Sequence, residues 1–340
     1  MHSRQLGRLA GPDGCRLSRL RRPLDPHRPR PGALRLFTTP AATAAATALS
    51  EVDRRVGHAR KRHPVHDRNG QHHRFNERMM GPHHAMTGAA AWIAVTTTAG
   101  HGLGLYPVTP MGTLTGALLC AGAALLADAD HTSATISRSI PVLGKLVTAG
   151  LSRASGGHRH GLHSIFAVFC AWLLATGLGH LLWQPVWWPE PIGLGIAVMS
   201  AAAIAFATKA LGLARGSWTL AWLIGGLLAA VITLYAPGQQ DWFVVCFTLG
   251  YGIHLLGDLL TDRGLPLFWP FVPRPPRAWS RVPLLDSLWS SGGNVAVPVL
   301  GNAGSIREWL VLIPVTAYVG YGVLYAVLDE AGANLTLLGG

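Results

Sequence analysis

GALLCAGAALLADADH, residues 116–131, runs an alanine-rich apolar stretch directly into Asp128, Asp130 and His131. Such a stretch belongs in a protein interior or a bilayer, where ionisable groups are costly unless they are paired or put to use. The same junction recurs elsewhere. GHRHGLHS (157–164) precedes a long apolar run, GYGIHLLGDLLTDRG (250–264) closes another, and GPHHAMTG (81–88) opens the first. Aspartate oxygens and histidine nitrogens are the donors that divalent metals take.

The seven apolar runs lie at about 85–100, 111–127, 162–183, 191–208, 217–235, 241–257 and 308–328, and several approach the ~20 residues that cross a bilayer. The first two are short and alanine-rich. With 49% hydrophobic and only 13% charged residues, the chain carries about half the charge of a soluble domain. The expected fold is all-α: a polytopic transmembrane bundle of six or seven helices, with the membrane domain at 79–340 and a disordered basic tail at 1–78.

Charge supports this division. Of 28 Arg and Lys and 16 Asp and Glu, the tail holds 17 and 6, which leaves 11 and 10 for the rest. Basicity is therefore a property of the tail, and nucleic acid is not an expected partner beyond non-specific contact by that segment. The tail lacks the apolar stretch of a secretory signal. It is either a gene-model extension ahead of Met79 and Met80 or a basic arm for anionic lipid or nucleic acid.

If all seven runs span, the eleven basic residues of the body fall on one side, with the N-terminus and the loops 128–161, 209–216 and 258–307. The other side has none and carries Trp183, Trp187 and Trp188. Positive residues mark the cytoplasmic face, so the protein is expected to be a multi-pass membrane protein with its N-terminus and polar clusters cytoplasmic. The four cysteines form no CxxC pair and read as small, reduced core residues.

The candidate metal ligands are His84, Asp128, Asp130, His163, His254 and Asp258. His254 and Asp258, four apart, share one helix face; they can reach one ion together or make a structural pair. Asp128 and Asp130 leave a helix end, where both can turn inward or merely cap a turn. Six ligands exceed one ion's needs, so two ions share them or some act from outside the coordination sphere. Zinc suits the histidines, manganese or magnesium the carboxylates. The catalytic candidates are Asp130 as base, His131 beside it, and Arg159 to hold developing negative charge or to anchor the loop. The expected chemistry is hydrolysis by metal-activated water on a phosphoester or lipid-like substrate from the inner leaflet. The rivals are a divalent-cation transporter or sensor, and a non-enzymatic scaffold. Transport sites favour the bilayer midplane, whereas these groups gather at one end.

In order, His84-x-x-x-Gly88, LLADADH, HRHGLHS and GYGIHLLGDLLTDRGLPLFWPF also resemble the YdjM-type inner-membrane family, whose members are described as LexA-regulated and inferred to be metal-dependent hydrolases. The resemblance covers about 80–275 and matches His84, Gly88, Asp128, Asp130, His131, His158, Arg159, His163, Ser164, His254, Asp258, Thr261, Gly264, Trp269 and Pro270. Ala127 and Leu162 depart from it, standing where proline and threonine are usual. It implies a membrane hydrolase and no particular substrate.

Overall fold

The computed structural model describes residues 80–130, 136–140, 143–156, 160–235, 239–302 and 304–333. The basic tail, His131, His158 and Arg159 lie outside the described residues. Among the described residues the regular structure is helical apart from a two-stranded pairing and isolated bridges.

Each apolar run is built around a helix: α1 (Met80–Thr96), α2 (Pro110–Ala123), α4 (Ile165–Gly179), α5 (Leu194–Ala210), α6 (Trp218–Tyr235), α7 (Gln239–Leu259) and α9 (Ile306–Glu330). Two more helices occupy stretches that sequence reading gives to loops: α3 (Leu143–Ala154) and the short α8 (Pro283–Leu288). Residues outside the helices set the ends. Thr109 caps α2, its hydroxyl accepting from Gly112 N at 3.1 Å, and Pro110 follows where a missing N–H costs nothing. Ser164 caps α4, accepting from Ala167 N at 3.2 Å.

Among the described residues, three segments are long and apolar enough to cross a membrane: Pro110–Asp130, Asp241–Leu259 and Ile306–Glu330. Ile165–Gly179, Leu194–Ala210 and Trp218–Leu234 are apolar but shorter. At 1.5 Å per residue they reach roughly 22–26 Å, just under a ~30 Å hydrocarbon core.

The packing is that of a membrane bundle. Much of the core is alanine, as at Ala85, Ala121, Ala123, Ala175 and Ala207, while Phe166, Phe169, Leu173, Leu310, Ile313 and Leu324 face outward. In water this distribution would be inverted. With lipid outside, close backbone approach becomes the main attraction and small residues make it possible. A Cβ on Gly122 would fall 1.9 Å from Ala203 O, so α2 and α5 touch backbone to backbone there. Cys120 and Cys246 are buried as expected, but Cys170 faces outward on α4.

A strand pair, β1 (Leu182–Trp183) and β2 (Ile192–Gly193), joins α4 to α5, with Trp183 and Trp187 exposed beside it. The polar clusters lie at the other ends of the helices.

Candidate metal centre

Helix direction and two glycines assemble the site. A Cβ on Gly88 of α1 would lie 2.8 Å from Cys120 O of α2, and one on Gly250 of α7 would lie 2.4 Å from the same oxygen. Both helices therefore clasp α2 at one carbonyl. His84 stands one turn before Gly88 and His254 one turn after Gly250, which brings them to the same end of the bundle. Their rings stack with centroids 3.9 Å apart and planes at 24°. Gly257 leaves room for this, since a Cβ there would meet His84 Cε1 at 3.1 Å.

Beyond Ala123 the chain tightens into a 3-10 turn, Leu126–Asp130, which carries Asp128 and Asp130. His163 enters from a similar turn, Gly161–His163, just before α4. The Tyr251 hydroxyl ties this turn to α7 by donating to Leu162 O at 2.7 Å.

Four donor atoms from these elements converge. His163 Nε2 lies 3.3 Å from His254 Nε2, 3.4 Å from Asp258 Oδ2 and 3.6 Å from Asp128 Oδ1. His254 Nε2 lies 3.7 Å from Asp258 Oδ2 and 3.8 Å from Asp128 Oδ1. His84 Nε2 stands outside this tetrad, 3.6 Å from Asp258 Oδ1. Two overlapping triads result, His84–His254–Asp258 and Asp128–His163–His254, with His254 common to both.

The donor chemistry fits a cation. His254 Nδ1 is 2.6 Å from Ala124 O. A carbonyl only accepts, so Nδ1 carries the hydrogen, and the neutral ring then presents a lone pair at Nε2. That lone pair faces a second imidazole nitrogen and two carboxylate oxygens, an arrangement that a positive ion at their centre would reconcile. For donors 2.0–2.1 Å from an ion, tetrahedral edges are roughly 3.3–3.4 Å and octahedral ones roughly 2.8–3.0 Å. The five distances about His163 Nε2 and His254 Nε2, 3.3–3.8 Å, exceed the octahedral edge and begin at the tetrahedral one. These buried His and Asp groups can hold one divalent ion.

Burial gives the site a direction. The side chains of His163, His254 and Asp258 are 0–1% exposed, whereas that of Asp128 is 26% exposed, so the centre opens past Asp128.

Of the six ligands expected from sequence, His84, Asp128, His163, His254 and Asp258 share the cluster, and Asp130 sits apart. Its Oδ2 is 3.9 Å from His163 Nδ1, on the far edge of that ring, and the residue is buried. This is where a carboxylate orients a metal-binding histidine from behind. Sequence reasoning did not single out the Ala124 carbonyl, Tyr251 or Gly257. Tyr251 carried a signal, being three residues before His254 and hence on its helix face. A carbonyl's role leaves no trace in residue identity.

The family model described as YdjM inner membrane protein matches residues 79–328. No curated protein and no solved structure matches the chain.

Proposed function

The chain belongs to the YdjM inner membrane protein family, and from that premise we propose that it is an integral membrane, metal-dependent hydrolase. The observation that carries this reading is the placement of His254, its Nδ1 held 2.6 Å from Ala124 O and its Nε2 facing a cluster of three further donors. Residues 79–340 form the membrane domain, crossing six or seven times, with the centre and the N-terminus on the cytoplasmic side. The eleven basic residues of the body support that orientation.

Zinc is the preferred ion, given two imidazoles, two carboxylates and near-tetrahedral spacing; manganese or magnesium is the alternative. Bound there, a divalent ion supplies an activated water and polarises the bond to be broken. His163, His254, Asp128 and Asp258 would hold the ion, and the activated water would join them from the exposed side, past Asp128. Asp130, its Oδ2 3.9 Å from His163 Nδ1, steadies that ring by its negative charge from the far edge, which makes it a positioning residue more than the base its sequence suggests. His84 Nε2, beside Asp258 Oδ1, is placed to take a proton from water or return one to a leaving group. Arg159 and His131 keep their sequence-based candidacy for holding developing negative charge and assisting proton transfer.

The substrate class that suits a centre at the membrane's inner face is a phosphoester or lipid-like molecule. The test is a panel of fluorogenic phosphate monoesters, phosphate diesters and acyl esters, offered to the full chain in detergent after zinc loading, with His163→Ala alongside. Turnover that requires metal and disappears in the variant supports hydrolysis. Bound metal without turnover on any ester removes the hydrolase assignment and leaves a metal-binding membrane protein.

A further inference from the structure

Helix α3 is built inside out. It spans Leu143–Ala154, twelve residues, or roughly 18 Å, too short to cross a bilayer. Gly144, Thr148 and the following Ser155 are buried against the protein, whereas Leu143 (53%), Leu146 (50%) and Val147 (45%) are exposed. Ile140, just before the helix, is exposed as well. At about 100° per residue the exposed apolar side chains form one stripe with Gly150 and Ala154, and Lys145 and Ser152 lie on the opposite side. The protein-facing flank is small and polar apart from Leu151, which packs against the core, and Leu143, Leu146 and Val147 turn away from it.

The approach to the protein is tight. A Cβ on Gly144 would stand 2.8 Å from Ser137 O, and Trp222 of α6 donates to Ser139 O at 3.2 Å, pinning the segment before α3 to the bundle. The stripe therefore cannot simply roll inward. Charge identifies what covers it: residues 136–140 and 143–156 contain Arg138, Lys145 and Arg153, all exposed, and no Asp or Glu. An apolar stripe flanked by cations alone suits an anionic phospholipid surface.

We propose that α3 lies in the plane of the inner leaflet, with Leu143, Leu146 and Val147 in the boundary between headgroups and acyl chains and Lys145 in water. The leaflet assignment rests on the orientation given under Proposed function. Helix α3 packs on the 3-10 turn that carries Asp128 and Asp130. It thus sets the mouth of the centre at headgroup depth and selects substrates presented by the membrane over substrates free in the cytoplasm.

The test places nitroxide labels at Leu146, Val147, Lys145 and Ser152, one at a time, in the full chain carrying Cys15→Ser and Cys170→Ser. The protein is reconstituted in phosphatidylethanolamine–phosphatidylglycerol vesicles and probed with oxygen and a water-soluble nickel chelate. The expected result is a severalfold higher oxygen-to-nickel accessibility ratio at 146 and 147 than at 145 and 152. In pure phosphatidylcholine vesicles nickel access at 146 and 147 should rise. Nickel dominating at all four positions would overturn the proposal, as would a site at 146 and 147 closed to both probes, which would mean a protein partner. An unchanged pattern in phosphatidylcholine would overturn the role of anionic lipid. Metal content measured on the unlabelled protein separates the two readings. A failed pattern with metal bound rejects the interfacial helix alone, and absent metal rejects the centre alone.

Discussion

Gly250 and Gly252 sit two residues apart on α7, yet the bundle treats them differently. A Cβ at 250 would lie 2.4 Å from Cys120 O and 2.8 Å from Ala123 Cβ, whereas one at 252 meets nothing within 4 Å. Ordinary contact begins at 3.4 Å, so Gly250→Ala must push α7 away from α2 by roughly 1 Å, at a cost of about 1–3 kcal/mol for overpacking. That movement reaches the site, because His254 is one turn further along α7 and its Nδ1 rests on Ala124 O of the same α2 segment. Metal sites tolerate only about ±0.2 Å in donor position, so affinity should fall at least ~10-fold, the scale of a lost orienting contact. Gly252→Ala has no steric cost and gains helix propensity worth about 0.5–1 kcal/mol. Thermal unfolding in detergent, with and without zinc, and chelator-competition titrations read both effects. Gly250→Ala should melt lower and bind more weakly, and Gly252→Ala should match or exceed the parent. Equal behaviour of the two variants in both assays would refute the idea that contact at Cys120 O sets the site.

Three further substitutions probe individual contacts. Asp130→Asn keeps the ligands but removes the negative charge 3.9 Å behind His163 Nδ1, so zinc should still bind at saturation with affinity lowered about 10–100-fold; unchanged affinity in a competition titration would reject the positioning role. Gly257→Ala crowds His84 Cε1 at 3.1 Å and should reduce metal-dependent turnover while leaving one ion bound, because His84 lies outside the tetrad; loss of the ion would show that His84 is a ligand. Tyr251→Phe leaves Leu162 O without its 2.7 Å donor, which should cost about 1–3 kcal/mol of stability, seen as a lower melting temperature.

The helices were legible because apolar run length is itself the signal, and all seven runs contain one. Their number as full spans was not, since α4, α5 and α6 are shorter than the runs that announce them. Helix α3 went unseen for a different reason. Its outward leucines and inward glycine and threonine look like an unremarkable polar loop until it is known which flank the protein covers. For the centre, the residue types and order were sufficient to bring His84, Asp128, His163, His254 and Asp258 into view. Spacing could not separate Asp128 from Asp130, because a 3-10 turn sends residues two apart to opposite sides of the His163 ring. The backbone contacts that fix geometry, Ala124 O on His254 and Cys120 O beside Gly250, depend on which helices meet.

The most direct test of the account is the metal count per chain, by inductively coupled plasma mass spectrometry, on the full protein reloaded with zinc and freed of excess. His254→Ala and Asp258→Ala are measured beside it. One tightly held ion is expected in the parent, with that ion lost in each variant. No retained metal in the parent after offering zinc, manganese and magnesium in turn, or equal retention in all three proteins, would contradict it.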